Sequence, residues 1–174
     1  MIYTEAYFER PTREREFAER GELREDQLAA IEYLPDLGRV LSIGAGRGLL
    51  ERKLSELGAE VTSLDLADFR IDKGHRFITG NLDAVPDEDF DAVVMCEVIE
   101  HIDEDEFERN WPRMVAILKR THGRFVVTNW KEFHPIPKNG WDHVREINDS
   151  VYDRLERDAV KTLVREGSHL VLQF

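Results

Sequence analysis

The stretch Arg39-Val-Leu-Ser-Ile-Gly-Ala-Gly-Arg-Gly48, followed by Val61-Thr-Ser-Leu-Asp65, limits what this chain can fold into more than any other feature. It reads as a buried strand, a glycine-rich turn, a helix and a second strand ending on an acid. Gly44, Gly46 and Gly48 let the backbone turn sharply and approach a ligand with no Cβ in the way. An acid at the end of the next strand, about 20 residues on, is where such folds grip a pair of ribose hydroxyls. A dinucleotide fingerprint would run G-x-G-x-x-G. Here the third glycine comes one residue early, and Leu49 stands in its expected place. Read alone, the turn could be a tight strand-to-helix connection and Asp65 an ordinary turn acid.

The rest of the chain supplies the context. Glu22 to Tyr33 places Leu23, Leu28, Ile31 and Tyr33 among charges, an amphipathic helix stopped by Pro35 and Gly38. Strand 39–43, helix 48–57, strand 60–65 and strand 75–78 then alternate. Phe90 to Cys96 is a continuous apolar run, as expected of a central parallel strand buried on both faces. Helix 104–119, strand 124–129, a Pro- and Gly-containing loop, helix 149–166 and a last strand 169–174 complete the pattern. The fold class is therefore α/β: a doubly wound, mostly parallel sheet with helices on both faces, in one domain over 1–174. Residues 1–21 are expected to be a lead-in helix or mobile segment. In such sheets ligands sit at the carboxyl ends of the strands near the switch point. That gathers Gly44–Gly48, Asp65, Asn81, Cys96–His101 and 129–143 around one cleft.

Charge and cysteine usage narrow the partners. A net charge of -12 argues against broad electrostatic binding to nucleic acid. No apolar run reaches the length of a membrane span, and Met1 to Arg20 carries Glu and Arg where a secretory signal would be apolar. With Cys96 as the only cysteine no intrachain disulfide can form, so a reducing cytoplasm is the simplest setting. Cys96 itself reads as a buried small hydrophobe at a strand end rather than as a nucleophile.

Five segments in order resemble the class I (Rossmann-like) S-adenosylmethionine-dependent methyltransferases. They are V-L-S-I-G-A-G-R-G, E-V-T-S-L-D-L, F-I-T-G-N-L-D-A-V-P, F-D-A-V-V-M-C-E-V-I-E-H-I and G-R-F-V-V-T-N, and together they run from about Val40 to Val127. The resemblance implies S-adenosylmethionine as cofactor. Gly44, Ala45, Gly46 and Gly48 would form its turn, with Asp65 on the ribose, Leu66, Asn81 and Leu82 around the adenine, and Cys96 beside the cleft. It also implies methyl transfer to an acceptor, with a small-molecule or glycan hydroxyl as the leading expectation. Two positions depart from the family pattern. Ser42 stands where many members carry an acid that helps orient the methionine amino group, and Asn81 where an Asp often faces the adenine amine. The family usually ends in an antiparallel hairpin of two strands. Only one strand is read after the last helix here, so the last strand is expected to be missing.

Glu97, Glu100 and His101 stand at i, i+3, i+4, which on a helix would bring them to one face at the cleft mouth. Two readings stand. The three could hold a divalent cation such as Mg²⁺, Mn²⁺ or Zn²⁺, with His143 or His134 as fourth ligand. The cation would activate a hydroxyl, as in RNA 2′-O-methyltransferases with similar runs. Alternatively the acids favour a helix start, and His101 or His143, with Glu97, does general acid–base work. A degenerate member acting as a protein partner is the alternative of another class.

Overall fold

The computed structural model describes residues 19–34, 37–128, 149–167 and 169–174. Helix α1 (Glu25–Glu32) opens the described chain. It is capped where Arg24 N–H donates to the Gln27 side chain at 3.1 Å. There follow β1 (Arg39–Ile43), α2 (Leu49–Glu56), β2 (Glu60–Asp65), β3 (Arg76–Thr79) and a single 3₁₀ turn at Leu82–Ala84. Next come β4 (Ala92–Cys96), a second 3₁₀ turn at Ile99–His101, α3 (Glu104–Thr121), β5 (Arg124–Thr128), α4 (Asp149–Glu156), β6 (Lys161–Glu166) and β7 (His169–Gln173).

The seven strands form one sheet in the order β3-β2-β1-β4-β5-β7-β6. The first five are parallel, and β7 runs antiparallel between β5 and β6. The doubly wound α/β expectation holds, but the expected absence of the last strand does not. The residues read as the end of a helix over 149–166 leave the helix at Glu156 and return as β6. Gly167, at φ 57°, lies in the turn to β7. The pairing of β6 with β7 shifts register between Thr162 and Val164, so that neighbouring Leu163 and Val164 both pack on the same apolar cluster. Such a bulge breaks the two-residue alternation of a strand. With Val160 it leaves apolar residues at i, i+3, i+4, which reads as a helix.

Alternation along the inner strands builds two cores. Leu41, Ile43, Val93, Met95, Phe125, Val127, Leu170 and Leu172 face one way, against Phe107, Met114 and Ile117 of α3 and Val151 and Leu155 of α4. Val40, Val61, Ala92, Val94, Val126 and Val171 face the other, against Ala30 of α1 and Leu50 and Leu54 of α2. Burial on both faces explains why β4 is apolar throughout. Helix α3 is started by Asp103, whose carboxylate accepts from the N–H groups of Asp105 and Glu106. It carries acids in its first turn and Lys119 and Arg120 in its last, as the helix dipole favours.

Trp111 joins α3 to the hairpin. Its ring stacks on Phe107 at 5.6 Å and meets Phe125 and Phe174 edge-on, and its Nε1–H donates to Asp158 at 2.8 Å. Trp111→Phe keeps most of the packing and deletes that bond. The variant is expected to lose about 1–2 kcal/mol in urea denaturation, and an unchanged midpoint would count against the Asp158 tie.

Candidate functional site

The strand order reverses between β1 and β4, so their carboxyl ends open the crevice where ligands of such sheets bind. The glycine turn fills the β1 side. Gly44 N–H donates to Leu64 O at 2.8 Å and Gly48 N–H to Ala45 O at 2.9 Å, closing a tight turn over buried Ala45. Gly44, Gly46 and Gly48 have φ of 78°, 52° and 77°, values that strain any residue with a side chain.

Two of the glycines also make room for protein. A Cβ on Gly44 would lie 2.2 Å from Val98 Cγ2, because the loop after β4 packs on the turn. A Cβ on Gly48 would lie 3.0 Å from Arg70 Cγ. Arg70 is buried. Its guanidinium lies 4.5 Å from the Phe77 ring centroid, grips both carboxylate oxygens of Asp68 at 2.9 and 3.0 Å, and donates to His75 O at 2.8 Å. His75 in turn shares a 2.6 Å hydrogen bond with buried Ser63 of β2. The loop between β2 and β3 is thus clamped over the glycine turn, and Ile71 N–H donates to Arg47 O at 3.0 Å. Arg70 holds the Asp68 carboxyl well below the usual range.

Asp65 closes the unit at the tip of β2. Its Oδ2 accepts from Gly46 N–H at 2.8 Å and its Oδ1 from Leu66 N–H at 2.7 Å. Burial pushes its carboxyl up against the pull of the Gly46, Leu66 and Ala67 amides. A carboxylate accepts about four hydrogen bonds, so with three amides on it Asp65 keeps room for about one further donor, such as a ribose hydroxyl. Leu66 beside it is exposed at 39%, an apolar side chain offered at the rim.

On the far rim of the β2 side, Asn81 caps the first 3₁₀ turn, its side chain accepting from Asp83 N–H at 3.1 Å. The sequence reading places Leu82 near a ligand. Its side chain is buried in the core, and its N–H donates to Glu106 at 2.9 Å. Cys96 is buried at the end of β4, hydrogen-bonded to Thr128, and burial pushes its thiol far up, so it packs rather than reacts.

The run after β4 corrects the helical reading of Glu97, Glu100 and His101. Glu97 sits at φ 58°, with its N–H on Thr128 O at 2.8 Å, and three residues of 3₁₀ turn follow. The i, i+3, i+4 face needs a continuous α-helix, and the left-handed step at Glu97 breaks it. Glu100 is buried, whereas Glu97 and His101 are half-buried. Among the described residues no three His, Cys, Asp or Glu side chains are placed to hold a metal ion, so Glu97, Glu100 and His101 alone do not make the expected cation site. His134 and His143 lie outside the described residues.

Three residues at the site gave no sequence signal. Arg70 looked like one loop charge among several. Asp26, at the start of α1, is buried, paired with Arg24 at 2.9 Å, and acts electrostatically on Cys96, so α1 borders the β4 side. Glu51, in the first turn of α2, is buried and accepts from Ser42 Oγ at 2.5 Å. The tie to Ser42, across nine residues, is the pairing a reader could have sought once Ser42 was seen to lack an acid.

Comparison with known proteins agrees with this geometry. The methyltransferase domain family profile matches residues 13–166. A ubiquinone biosynthesis O-methyltransferase of Bradyrhizobium diazoefficiens is 40% identical over 111 residues, 55% of this chain and 42% of that protein. The chain therefore spans less than half the length of that curated relative. Among solved structures, a TehB-like SAM-dependent methyltransferase from Corynebacterium glutamicum superposes with a TM-score of 0.64 at 22% identity, covering 93% of each chain. The Burkholderia thailandensis 1,6-didemethyltoxoflavin-N1-methyltransferase, solved with bound 1,6-didemethyltoxoflavin and S-adenosylhomocysteine, gives a TM-score of 0.67 at 20% identity, covering 86% of this chain and 75% of the other. At these identities the structural likenesses speak for the fold.

Proposed function

This chain belongs to the methyltransferase family, and from that premise we propose that it binds S-adenosylmethionine at the glycine turn and methylates a hydroxyl of a small molecule. The cofactor supplies an activated methyl group. The chain's residues do the rest: they bind, orient and move a proton. Asp65 receives a ribose hydroxyl, Gly44 to Gly48 present backbone to the amino-acid end, and Leu66 covers one face of the adenine with Asn81 at its edge. The observation that carries this reading is the Asp65–Gly46 hydrogen bond, which makes the acid and the turn one preformed unit at the switch point.

Charge and kinship support the choice of acceptor. The acidic balance disfavours a nucleic-acid acceptor, and the matched relative is named for O-methylation. His101, half-buried beyond the end of β4, is the described imidazole nearest in sequence to the cleft-lining strand end, and we assign it the hydroxyl proton. One ground for a non-catalytic partner role, a missing last strand, is removed by the β6–β7 hairpin. No helix among the described residues is long and apolar enough to cross a membrane.

Calorimetry with S-adenosylhomocysteine and with NAD tests the cofactor, and transfer of labelled methyl groups to a panel of phenols, sugars and RNA tests the acceptor. Tighter NAD binding would overturn the cofactor assignment, and labelling confined to RNA would overturn the acceptor class. His101→Gln is expected to lower turnover while leaving S-adenosylhomocysteine affinity unchanged. Equal turnover in the variant would remove His101 as the base.

A further inference from the structure

Beneath the glycine turn lies a carboxyl that the reading above leaves unused. Glu51 sits in the first turn of α2, directly after buried Leu49 and Leu50, and is only 2% exposed. One oxygen accepts from Ser42 Oγ at 2.5 Å. The other, Oε2, is buried with no hydrogen-bond partner among the described residues. An ionised carboxylate in that position is expensive unless a cation compensates it.

The surroundings within the protein do not provide one freely. Asp65, at the end of β2, adds a second negative charge that disfavours ionisation of Glu51. Arg70, from the following loop, reaches Glu51 electrostatically, but its guanidinium nitrogens are engaged by Asp68 and His75. From β4 the neighbour is the Cys96 thiol, which stays neutral, and from β1 it is the Ser42 hydroxyl. Two carboxyls thus share the base of a turn built for a ligand, and one of them has an oxygen to spare. A ligand that brings positive charge to this turn would resolve the imbalance. The amino-acid end of the proposed cofactor carries an ammonium group.

We propose that Glu51 is the positioning carboxylate for the cofactor's ammonium group, supplying from beneath the turn the negative charge that Ser42 cannot, with Ser42 as the donor that orients it. This rests on the cofactor reading above. Since Oε2 is enclosed, Glu51 acts across the turn as counter-charge and not as a contacting ligand. Burial pushes the Glu51 carboxyl up to about 7 in the ligand-free protein. An arriving ammonium lowers it again, so binding at neutral pH releases a proton, and affinity rises as pH climbs through that value.

The test compares S-adenosylhomocysteine with 5′-methylthioadenosine, which keeps the nucleoside and sulfur but lacks the amino-acid end. Binding of both is measured by calorimetry for the wild type, for Glu51→Gln, and for Ser42→Asp combined with Glu51→Ala. Glu51→Gln should weaken S-adenosylhomocysteine roughly tenfold and leave 5′-methylthioadenosine unchanged. Moving the acid to position 42 should restore most of the difference. Titrations in two buffers of different ionisation enthalpy should show proton release for the wild type and none for Glu51→Gln.

Folding provides the control. A carboxyl whose folded pKa is raised contributes stability that is present at low pH and lost as pH rises through about 7. Glu51→Gln should therefore melt no lower than the wild type at pH 8. Equal losses for both ligands would mean that Glu51 only packs the turn, and no loss for either would mean that it does nothing for the cofactor; both results overturn the proposal. A wild type that binds neither ligand overturns the cofactor reading and this inference with it. A wild type that binds S-adenosylhomocysteine no better than Glu51→Gln does overturns this inference alone.

Discussion

Gly44→Ala is expected to destabilise the protein by about 2–5 kcal/mol and to abolish ligand binding. Two separable penalties add. An alanine at φ 78° sits in left-handed backbone, which costs about 1–2 kcal/mol. Its Cβ would also lie 2.2 Å from Val98 Cγ2, and overpacking of this kind costs about 1–3 kcal/mol. The second penalty depends on Val98 and the first does not. Combining Gly44→Ala with Val98→Ala should therefore give a loss smaller than the sum of the two single losses by about 1–3 kcal/mol in urea denaturation. Strict additivity would show that the loop after β4 yields freely and that only the backbone objects.

Asp65→Ala should lower S-adenosylhomocysteine affinity by roughly tenfold to a hundredfold, the worth of a charge-assisted hydrogen bond of about 1.5–3 kcal/mol. The geometry adds a second route to that loss. Asp65 also holds Gly46 N–H and Leu66 N–H, so alanine loosens the turn as well as removing the ribose acceptor. Asp65→Asn separates the routes, since its amide oxygen can still accept from Gly46 while the charge is gone. If the ribose bond dominates, Asn should lose most of the affinity while melting above Asp65→Ala, since its one oxygen keeps the Gly46 bond and gives up the Leu66 one. Equal affinity in the wild type and Asp65→Ala would sink the ribose assignment.

The parts of this fold that were legible in the sequence are those set by local, one-dimensional physics. The bounds of β1 and β2 follow from short apolar runs bracketed by glycine and charge, and Asp65 follows from the length of one strand–helix–strand unit. The misreadings occur where tertiary contacts override a period. Val160, Leu163 and Val164 carry helical spacing, yet a bulge on an outer strand produced it. Glu97, Glu100 and His101 also carry helical spacing, but the approach of Val98 to Gly44 accompanies a left-handed residue where the helix would begin. At the site, Glu51 was invisible for a related reason. A glutamate in a helix's first turn is expected to face water, and nothing local reports that Ser42 draws it inward.

The strand order also fixes a sequence of events during synthesis. The edge of β5 is covered by β7, yet residues 129–168 separate the two in the chain. At about 5–20 residues per second, those forty residues take roughly 2–8 s to emerge, during which the apolar residues of 124–128 have no partner on that side. The nascent chain thus exposes a template for wrong pairing, and chaperone capture or aggregation competes with folding in that interval. Slowing translation between residues 129 and 168 should therefore lower soluble yield more than slowing it before residue 90.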